Sequence, residues 1–498
     1  MIMLLFFYMV LIVAVRNMVS EAYLTAIFLV PILFFLICTY KKICKINRSI
    51  VYKEWIIKHR KLIWAILQIL STMVMIGFCI KLRVNISWDW GQLLRTSSTY
   101  VLSGEWDKLE YYARCSNNQP WLYCLIMFFR MILFFCPNAN EMFLQSATIY
   151  LSICFTQITL LLIYKIGREI YEDEFKALIL GVCSLCALPF YLYAQFAYTD
   201  TISMMLATLA IFLYLRLKHT SNVIVWKIEF IILTVVSALI FKIKVLAFIV
   251  IIALLIDSFL RCTNLKKYVI ILFASIIFFI GVNKTFTIFI RNEIPITDEM
   301  LYEKEMSWTH YLMMGMNHYG GYSEEDVSLT YNAGNYEEKQ LVNLQELKKR
   351  IENYGFKGTL NHLFYTKLTR TWGNSLLAGD DYSHRQPYYP GSIAQRIFGY
   401  GEDLHWGVLV YSWFYHFCML FGIWIEIIFS HKRDIKEQNF LLFRYTVFGV
   451  GIFLSVWECN SRYLLPFFPV MISLAFEGWN IFIPWCMRKQ KLFAENKR

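Results

Sequence analysis

WLYCLIMFFRMILFFC, residues 121–136, decides how the rest of this chain is threaded. If the stretch crosses a membrane, every segment after it is inverted; if it lies along the surface, the downstream order is kept. Charge separates the two readings. Without a crossing, the connections that hold Lys165 and Arg168, Arg216 and Lys218, Arg261, Lys266 and Lys267, and Lys432, Arg433 and Lys436 share one side with the basic C-terminal tail. Short loops rich in Lys and Arg stay in the cytoplasm, so this is the favoured arrangement. Residues 121–136 are therefore expected to lie along or dip into the outer membrane surface, with Arg130 at headgroup level.

The threading matters because most of the chain belongs in a bilayer. Its 498 residues are 58% apolar and 18% aromatic, and the mean hydropathy is +0.48. No water-soluble surface tolerates that composition. Runs long enough to cross roughly 30 Å of hydrocarbon are read near 1–15, 22–40, 62–80, 143–163, 177–195, 199–216, 228–241, 245–260, 268–290, 404–429, 441–457 and 463–485, about twelve in all. The first, MIMLLFFYMVLIVAV, has neither a basic n-region nor a small-residue cleavage site and reads as a retained span. The net charge of +12 collects in short connections, among them Lys41, Lys42, Lys45, Arg48, Lys53, Lys58, Arg60 and Lys61, and in the tail at Arg488, Lys489, Lys491, Lys497 and Arg498. Such clusters face anionic lipid, not nucleic acid. The 13 cysteines sit mostly inside apolar runs (Cys38, Cys79, Cys154, Cys183, Cys186, Cys418) and outline neither a disulfide framework nor a metal site.

Four regions follow: N-terminal spans and a basic cytoplasmic loop (1–61), a membrane core (62–290) that includes a first outer loop (81–142), an extracytoplasmic cap (291–403), and C-terminal spans with a basic tail (404–498). The cap is too long for a passive linker and is expected to fold, with an amphipathic helix around 336–354. There is no internal repeat, no heptad pattern and no GxxxxGK loop, which argues against an ATP-driven transporter.

Chemistry-bearing residues lie where spans meet the outer face, and each has a plain structural alternative. Asp89, in ISWDWGQLL (86–94), is either a helix cap flanked by interfacial Trp88 and Trp90 or a reagent. Asp200, in FAYTDTISMMLATLAIF, is well placed as an N-cap. Lys242 and Lys244, in ALIFKIKVLAFIV, can snorkel, yet an outer hairpin tip runs against the positive-inside bias. Glu458, Arg462 and Tyr463, in WECNSRYLLPFFP, can be a local ion pair of little worth. Their convergence on one face is the stronger signal. A carboxylate beside cations at a membrane surface suits transfer from a lipid-linked phosphate, the carboxylate taking an acceptor proton and the cations stabilising the departing phosphate.

The order of these features resembles the GT-C superfamily of polytopic glycosyltransferases, in particular the protein-mannosyltransferase and aminoarabinose-transferase type and related bacterial membrane proteins that decorate cell-wall polysaccharide. The matching stretches are Asp89 at the start of the first outer loop, SNNQPWLYCLI, YTD at 198–200, FKIKV, WTHYLMMGMN followed by GGYSEED, and ECNSRYLLPFFP, spanning about 62–485. The first loop has one Asp where some relatives have an Asp-Glu pair, SNNQP lacks a preceding Tyr-Pro, and Val follows Lys244 where relatives often have Pro. The resemblance implies an all-α bundle of about twelve spans, an extracytoplasmic site, a polyprenyl-phosphate-sugar donor and a glycan or other outer acceptor, with Asp89 as catalytic base. On this reading the enzyme is an inverting glycosyltransferase. Asp200 orients donor or acceptor; Lys244, Lys242 and Arg462 bind the lipid phosphate; Glu458 positions Arg462, with Tyr463 and Tyr198 in support. Trp308, His310, Asn317 and Trp372 are acceptor-side candidates, because aromatic rings stack on sugars. No cofactor is expected; a divalent metal, if used, would take Asp89, Asp200 and Glu458 as oxygen ligands. The rivals are a glycan polymerase or ligase and a lipid-linked-glycan flippase. The latter should show paired halves and short loops.

Overall fold

The structure is a computed structural model and describes residues 2–21, 50–171, 173–430 and 439–495. Among these residues the chain is helical, with no strand beyond a single antiparallel bridge between Val84 and Pro387. An apolar chain in hydrocarbon must satisfy its backbone within each segment, and helices do so. Among the described residues nine helices are long and apolar enough to cross a membrane, or ten if Glu174–Leu185 and Leu188–Gln195, bent by 57°, count as one. The bend coincides with Pro189, which sits in the first turn of its helix and has no N–H to donate. The expected span 22–40 lies outside the described residues, as do Lys41, Lys42, Lys45, Arg48, Lys432, Arg433, Lys436, Lys497 and Arg498. Of the other expected spans, 177–195 falls on the bent pair Glu174–Leu185 and Leu188–Gln195, and the rest coincide with helical segments, Val245–Leu260 and Leu441–Val456 being the short ones.

The bundle has a basic end and an opposite end. Ile50–Lys81 and Glu141–Ile170 run antiparallel: Arg168 and Arg60 share Glu174, Gln68 Nε2 donates to Gln157 O at 3.0 Å, and Arg83 reaches Ser146 at 3.4 Å. At the basic end Lys53 meets Asp173 at 2.8 Å, Arg216 meets Glu229 at 2.6 Å, and buried Asp257 takes both Lys218 and Arg261.

Residues 121–136 belong to a single helix, Gln119–Phe135. Its start is held by Trp121, whose Nε1 donates to Ala197 O at 2.9 Å, just before the Asp200 helix. Near its end Arg130 grips Glu293 through two bonds of 2.7 and 2.6 Å, at the last residue of Leu265–Glu293. The chain then turns into Glu141–Ile170, whose own first residue meets Ser98. Entry and exit thus lie on the side opposite the basic end. The helix has the composition of a span, and Ser116–Phe135 is long and apolar enough to be one, but it does not run from one end of the bundle to the other.

The long segment after Ile294 is a series of helices, including the expected one, which extends over Tyr336–Asn361 with a capping box from Asn335 and Glu338 and a kink at Gly355 (φ 59°). Part of this segment does not stay outside. Trp372 is fully buried against Phe6 and Phe7, with ring centroids at 6.4 and 6.2 Å, and Asn17 Nδ2 donates to Gly373 O at 2.9 Å. The first helix, Ile2–Glu21, is therefore packed against residues 367–373 as well as against Trp406–Ser430. The described cysteines are all free.

Candidate functional site

Three chain breaks meet at the end opposite the basic one. The first is Ser87–Trp88, where the chain enters the helix Trp88–Ser103. Trp88 has φ 46°, a left-handed conformation that costs a bulky residue of the order of 1–2 kcal/mol. Held that way, its ring lies 5.0 Å from Tyr198, 5.0 Å from Tyr382 and under the Arg462 guanidinium at 5.0 Å. Asp89 follows in the first helical turn but caps nothing: Ser87 holds the cap position, and Asp89 Oδ1 accepts from the Tyr111 hydroxyl at 2.7 Å. Asn118 Nδ2 in turn donates to that hydroxyl at 3.0 Å, so SNNQP fixes the tyrosine that fixes the aspartate. Asp89 is half-buried and reachable.

The second break precedes Thr199–His219, where Tyr198 takes the cap position and its backbone N–H bonds Thr201 Oγ1 at 3.3 Å. Asp200 is thereby freed from capping. It is 1% exposed and holds Lys244 through Oδ1, while Oδ2 lies 3.4 Å from Arg462 Nε. Lys244 occupies the point where Val223–Ile243 ends in extended geometry (φ −155°) before a short turn of helix, and that break turns its ammonium inward. The third break, 457–462, is sewn to the long outer segment: Glu458 N donates to Tyr311 O at 3.1 Å and Cys459 N to Gly320 O at 2.8 Å. Asn460 Oδ1 accepts from Arg462 N at 3.0 Å and starts the helical turn that buries Arg462.

Arg462 is boxed by aromatic faces, Tyr382 at 4.8 Å, Trp88 at 5.0 Å, Tyr198 at 5.4 Å and Tyr463 at 5.8 Å, and Lys244 lies 5.1 Å from the Tyr463 ring. Each such contact is worth about 0.5–2 kcal/mol and more when desolvated. Their joint effect keeps a guanidinium charged inside protein. Two atoms of the group, Asp200 Oδ2 and Arg462 Nε, are buried with no hydrogen-bond partner among the described residues. The Tyr463 hydroxyl donates to Glu458 Oε1 at 3.1 Å, and burial pushes the Glu458 carboxyl above its usual range.

The structure brings Asp89, Asp200, Lys244, Glu458, Arg462, Tyr463 and Tyr198 to one place and leaves others out. Lys242 forms no ion pair with Asp200 or any other acid among the described residues and feels the like charge of Arg291. Glu458 does not position Arg462; its bond goes to Tyr463, and Asp200 is the acid beside Arg462. Nor does Asp200 face a substrate directly, since its carboxylate is committed to two cations. Of the acceptor-side candidates, Trp372 is core packing against the first helix. Asn317 has all its groups engaged, donating to Gly321 O and Asp326 and accepting from Tyr319 N and Gly320 N. His310 is buried on Thr330 at 2.7 Å, and burial lowers its pKa to about 4. Only Trp308 is exposed. Among the described residues no cluster of three His, Cys, Asp or Glu is preformed for a metal; the three carboxylates take three different partners.

Sequence reasoning missed Tyr111, Tyr382, Lys367 and Arg370. Lys367 is buried with Nζ on Gly315 O (2.9 Å) and Trp457 O (2.5 Å), and burial lowers its pKa to about 8. Arg370 Nε donates to Cys459 O at 3.2 Å. No spacing rule links TKLTRTW to ECNSRY, which lie far apart in the chain.

A family model described as a conserved hypothetical integral membrane protein matches residues 1–481. No curated protein matches. Among solved structures, the chain is similar to ArnT from Cupriavidus metallidurans, crystallised with undecaprenyl phosphate, at TM-score 0.36 and 11% identity over 83% of this chain and 78% of that one. It is also similar to the Archaeoglobus fulgidus oligosaccharyltransferase in the apo form, at TM-score 0.41 and 12% identity over 86% of this chain and 52% of that one. The same enzyme tethered to an acceptor peptide gives 0.33 and 10%, over 84% and 56%. The chain thus spans about half the length of the oligosaccharyltransferase.

Proposed function

We propose that this chain, which belongs to the conserved hypothetical integral membrane protein family and is a multi-pass membrane protein, is a glycosyltransferase that moves a sugar from a polyprenyl-phosphate donor to an acceptor outside the cytoplasm. One observation carries the reading: a buried cation pair, Lys244 and Arg462 on Asp200, stands beside a separate reachable carboxylate, Asp89, that has no ion pair among the described residues. Burying two cations around one acid leaves a net positive site in a dry environment, which favours a phosphate ligand. The basic end, by the positive-inside rule, is cytoplasmic, and the site is then outside.

In the reaction, Asp89 takes the proton of an acceptor hydroxyl as its oxygen bonds the anomeric carbon of the donor. The bond from that carbon to the phosphate oxygen breaks, and polyprenyl phosphate leaves with the electron pair. A single displacement inverts the anomeric centre. Tyr111 holds Asp89 in place through one carboxylate oxygen, leaving Oδ2 for the acceptor. Lys244 and Arg462 act on the growing charge of the leaving phosphate, where their effect on rate is largest. Asp200 is a positioning residue that keeps both cations charged and together.

The test is the purified full chain in nanodiscs with polyprenyl-monophosphate sugars and, separately, polyprenyl-diphosphate oligosaccharides. Release of polyprenyl phosphate from the first set, inverted linkage in the product and loss of both in Asp89→Asn are the results anticipated. Consumption of diphosphate donors alone makes the chain a polymerase.

A further inference from the structure

A second pair of cations lies on the other side of Asp89. Arg114, at the end of Leu109–Arg114, has its guanidinium 5.8 Å from the Tyr111 ring, the tyrosine that holds Asp89, and 5.6 Å from Tyr331. Arg370 is exposed and bonds Cys459 O beside Glu458, and it lies so tightly on Gly321 that any side chain there would collide with it. Between them is Tyr322, exposed, within the field of both Asp89 and Arg114. Neither arginine forms an ion pair among the described residues, and the carboxylates nearby are engaged elsewhere, Glu110 by Lys304 and Tyr331, Glu305 by Ser116 and Glu458 by Tyr463.

This arrangement differs from the Asp200 group. There, buried cations are drawn onto an acid; here, two guanidinium groups without an ion pair among the described residues lie near an exposed tyrosine. Asp89 is between the two groups, its charge reaching Tyr198 beside Arg462 and Tyr322 beside Arg114. A base so placed has the leaving phosphate on one hand and the incoming hydroxyl on the other. The geometry points to an acceptor subsite in which Arg114 and Arg370 bind a glycan carrying phosphate or carboxylate groups close to the hydroxyl that receives the sugar, with Tyr322 against a sugar face. This inference rests on the transferase reading above and adds the chemical class of its acceptor. Guanidinium forks match the planar oxygens of both anions, and Tyr supplies the stacking surface that a neutral ring needs.

The test is direct binding to the full chain in nanodiscs, without donor, of three probes: a glycerol-phosphate oligomer, a uronic-acid oligomer and a neutral glucan oligomer of equal length. The anionic oligomers should bind and the glucan should not, and the tighter of the two separates phosphate from carboxylate. Arg114→Gln and Arg370→Gln should each weaken anionic binding by about tenfold to a hundredfold, the worth of a charge-assisted bond. Arg→Lys at either place should recover part of it, because charge stays while the fork is lost. Binding of polyprenyl phosphate should be unchanged in all four variants, which also reports that they fold, and Lys348→Gln on the exposed helix Tyr336–Asn361 should alter neither. Equal binding of the neutral oligomer, anionic binding indifferent to both arginines, or loss of polyprenyl phosphate binding in their place would overturn the subsite. Anionic binding that obeys the arginines in a protein that turns over no polyprenyl-phosphate sugar would instead sink the transferase reading and leave an anion site standing.

Discussion

Asp89 and Asp200 are both acids at the first turn of a helix, and their surroundings give them opposite jobs. Asp89 is half-buried and accepts from the neutral Tyr111 hydroxyl, which in turn accepts from the Asn118 amide. Asparagine keeps its shape, so Asp89→Asn should leave expression and thermal stability near normal while lowering turnover by about 10²–10⁴, the usual effect of losing a general base. An active Asn variant would return Asp89 to a structural role. Asp200 is ion-paired with two cations, Lys244 and Arg462. Asp200→Asn leaves Lys244 and Arg462 facing each other without a counter-charge, and stranding buried charge costs about 3–5 kcal/mol. The variant should lose folded protein as judged by detergent-extract chromatography, and normal yield with normal melting would show the pair to be solvated. Arg462→Lys keeps the charge but loses the planar group that stacks on Tyr382 and Trp88. Donor saturation should shift in that variant with little change in yield.

At the scale of elements, the outer segment is held together internally by buried polar groups, and one of them titrates. His310, in Trp308–Gly315, is neutral in the fold because burial lowers its pKa from the ordinary 6.5 to about 4. The unfolded segment binds more protons than the folded one between those values, so stability is complete above about pH 6.5 and is lost as pH falls through about 4. The loss amounts to roughly 3 kcal/mol. Limited proteolysis of the 298–361 region should therefore accelerate on acidification from pH 7 to 4.5, and His310→Gln should flatten that dependence. A wild-type profile with no acid branch would mean that His310 is hydrated. The helix Tyr336–Asn361 was legible in the sequence as an amphipathic helix around 336–354, and the structure adds its capping box. The burial of Trp372 was not, because an aromatic in a polar loop carries no local sign of whether it meets a sugar or the first helix.

For the whole molecule, the threading predicts the two sides of the membrane. Cys136, exposed beyond Gln119–Phe135, should react with an impermeant maleimide in intact cells, whereas Cys262, after Ile249–Leu260, should react only once the membrane is opened. The reverse pattern would move Asp89 to the cytoplasmic side and remove the proposed reaction. The sequence by itself determined that the chain is a helical membrane protein, where most of its described apolar helices lie and which end is basic, since those properties follow from segment-by-segment hydropathy and charge that no neighbour can change. It also singled out Asp89, Asp200, Lys244 and Arg462, because charges at the edge of apolar runs are costly wherever they point. Only the tertiary structure decided which acid serves which cation. Asp200, Lys244 and Arg462 come from three separate helix ends, and the box of Trp88, Tyr198, Tyr382 and Tyr463 brings in two further stretches, at Trp88 and Tyr382. It likewise decided that residues 121–136 return to the side they left, because that depends on Ala197 and Glu293 meeting the two ends of one helix. Pairings of this kind are set by packing between segments far apart in the chain, and a local pattern of residues holds no record of them.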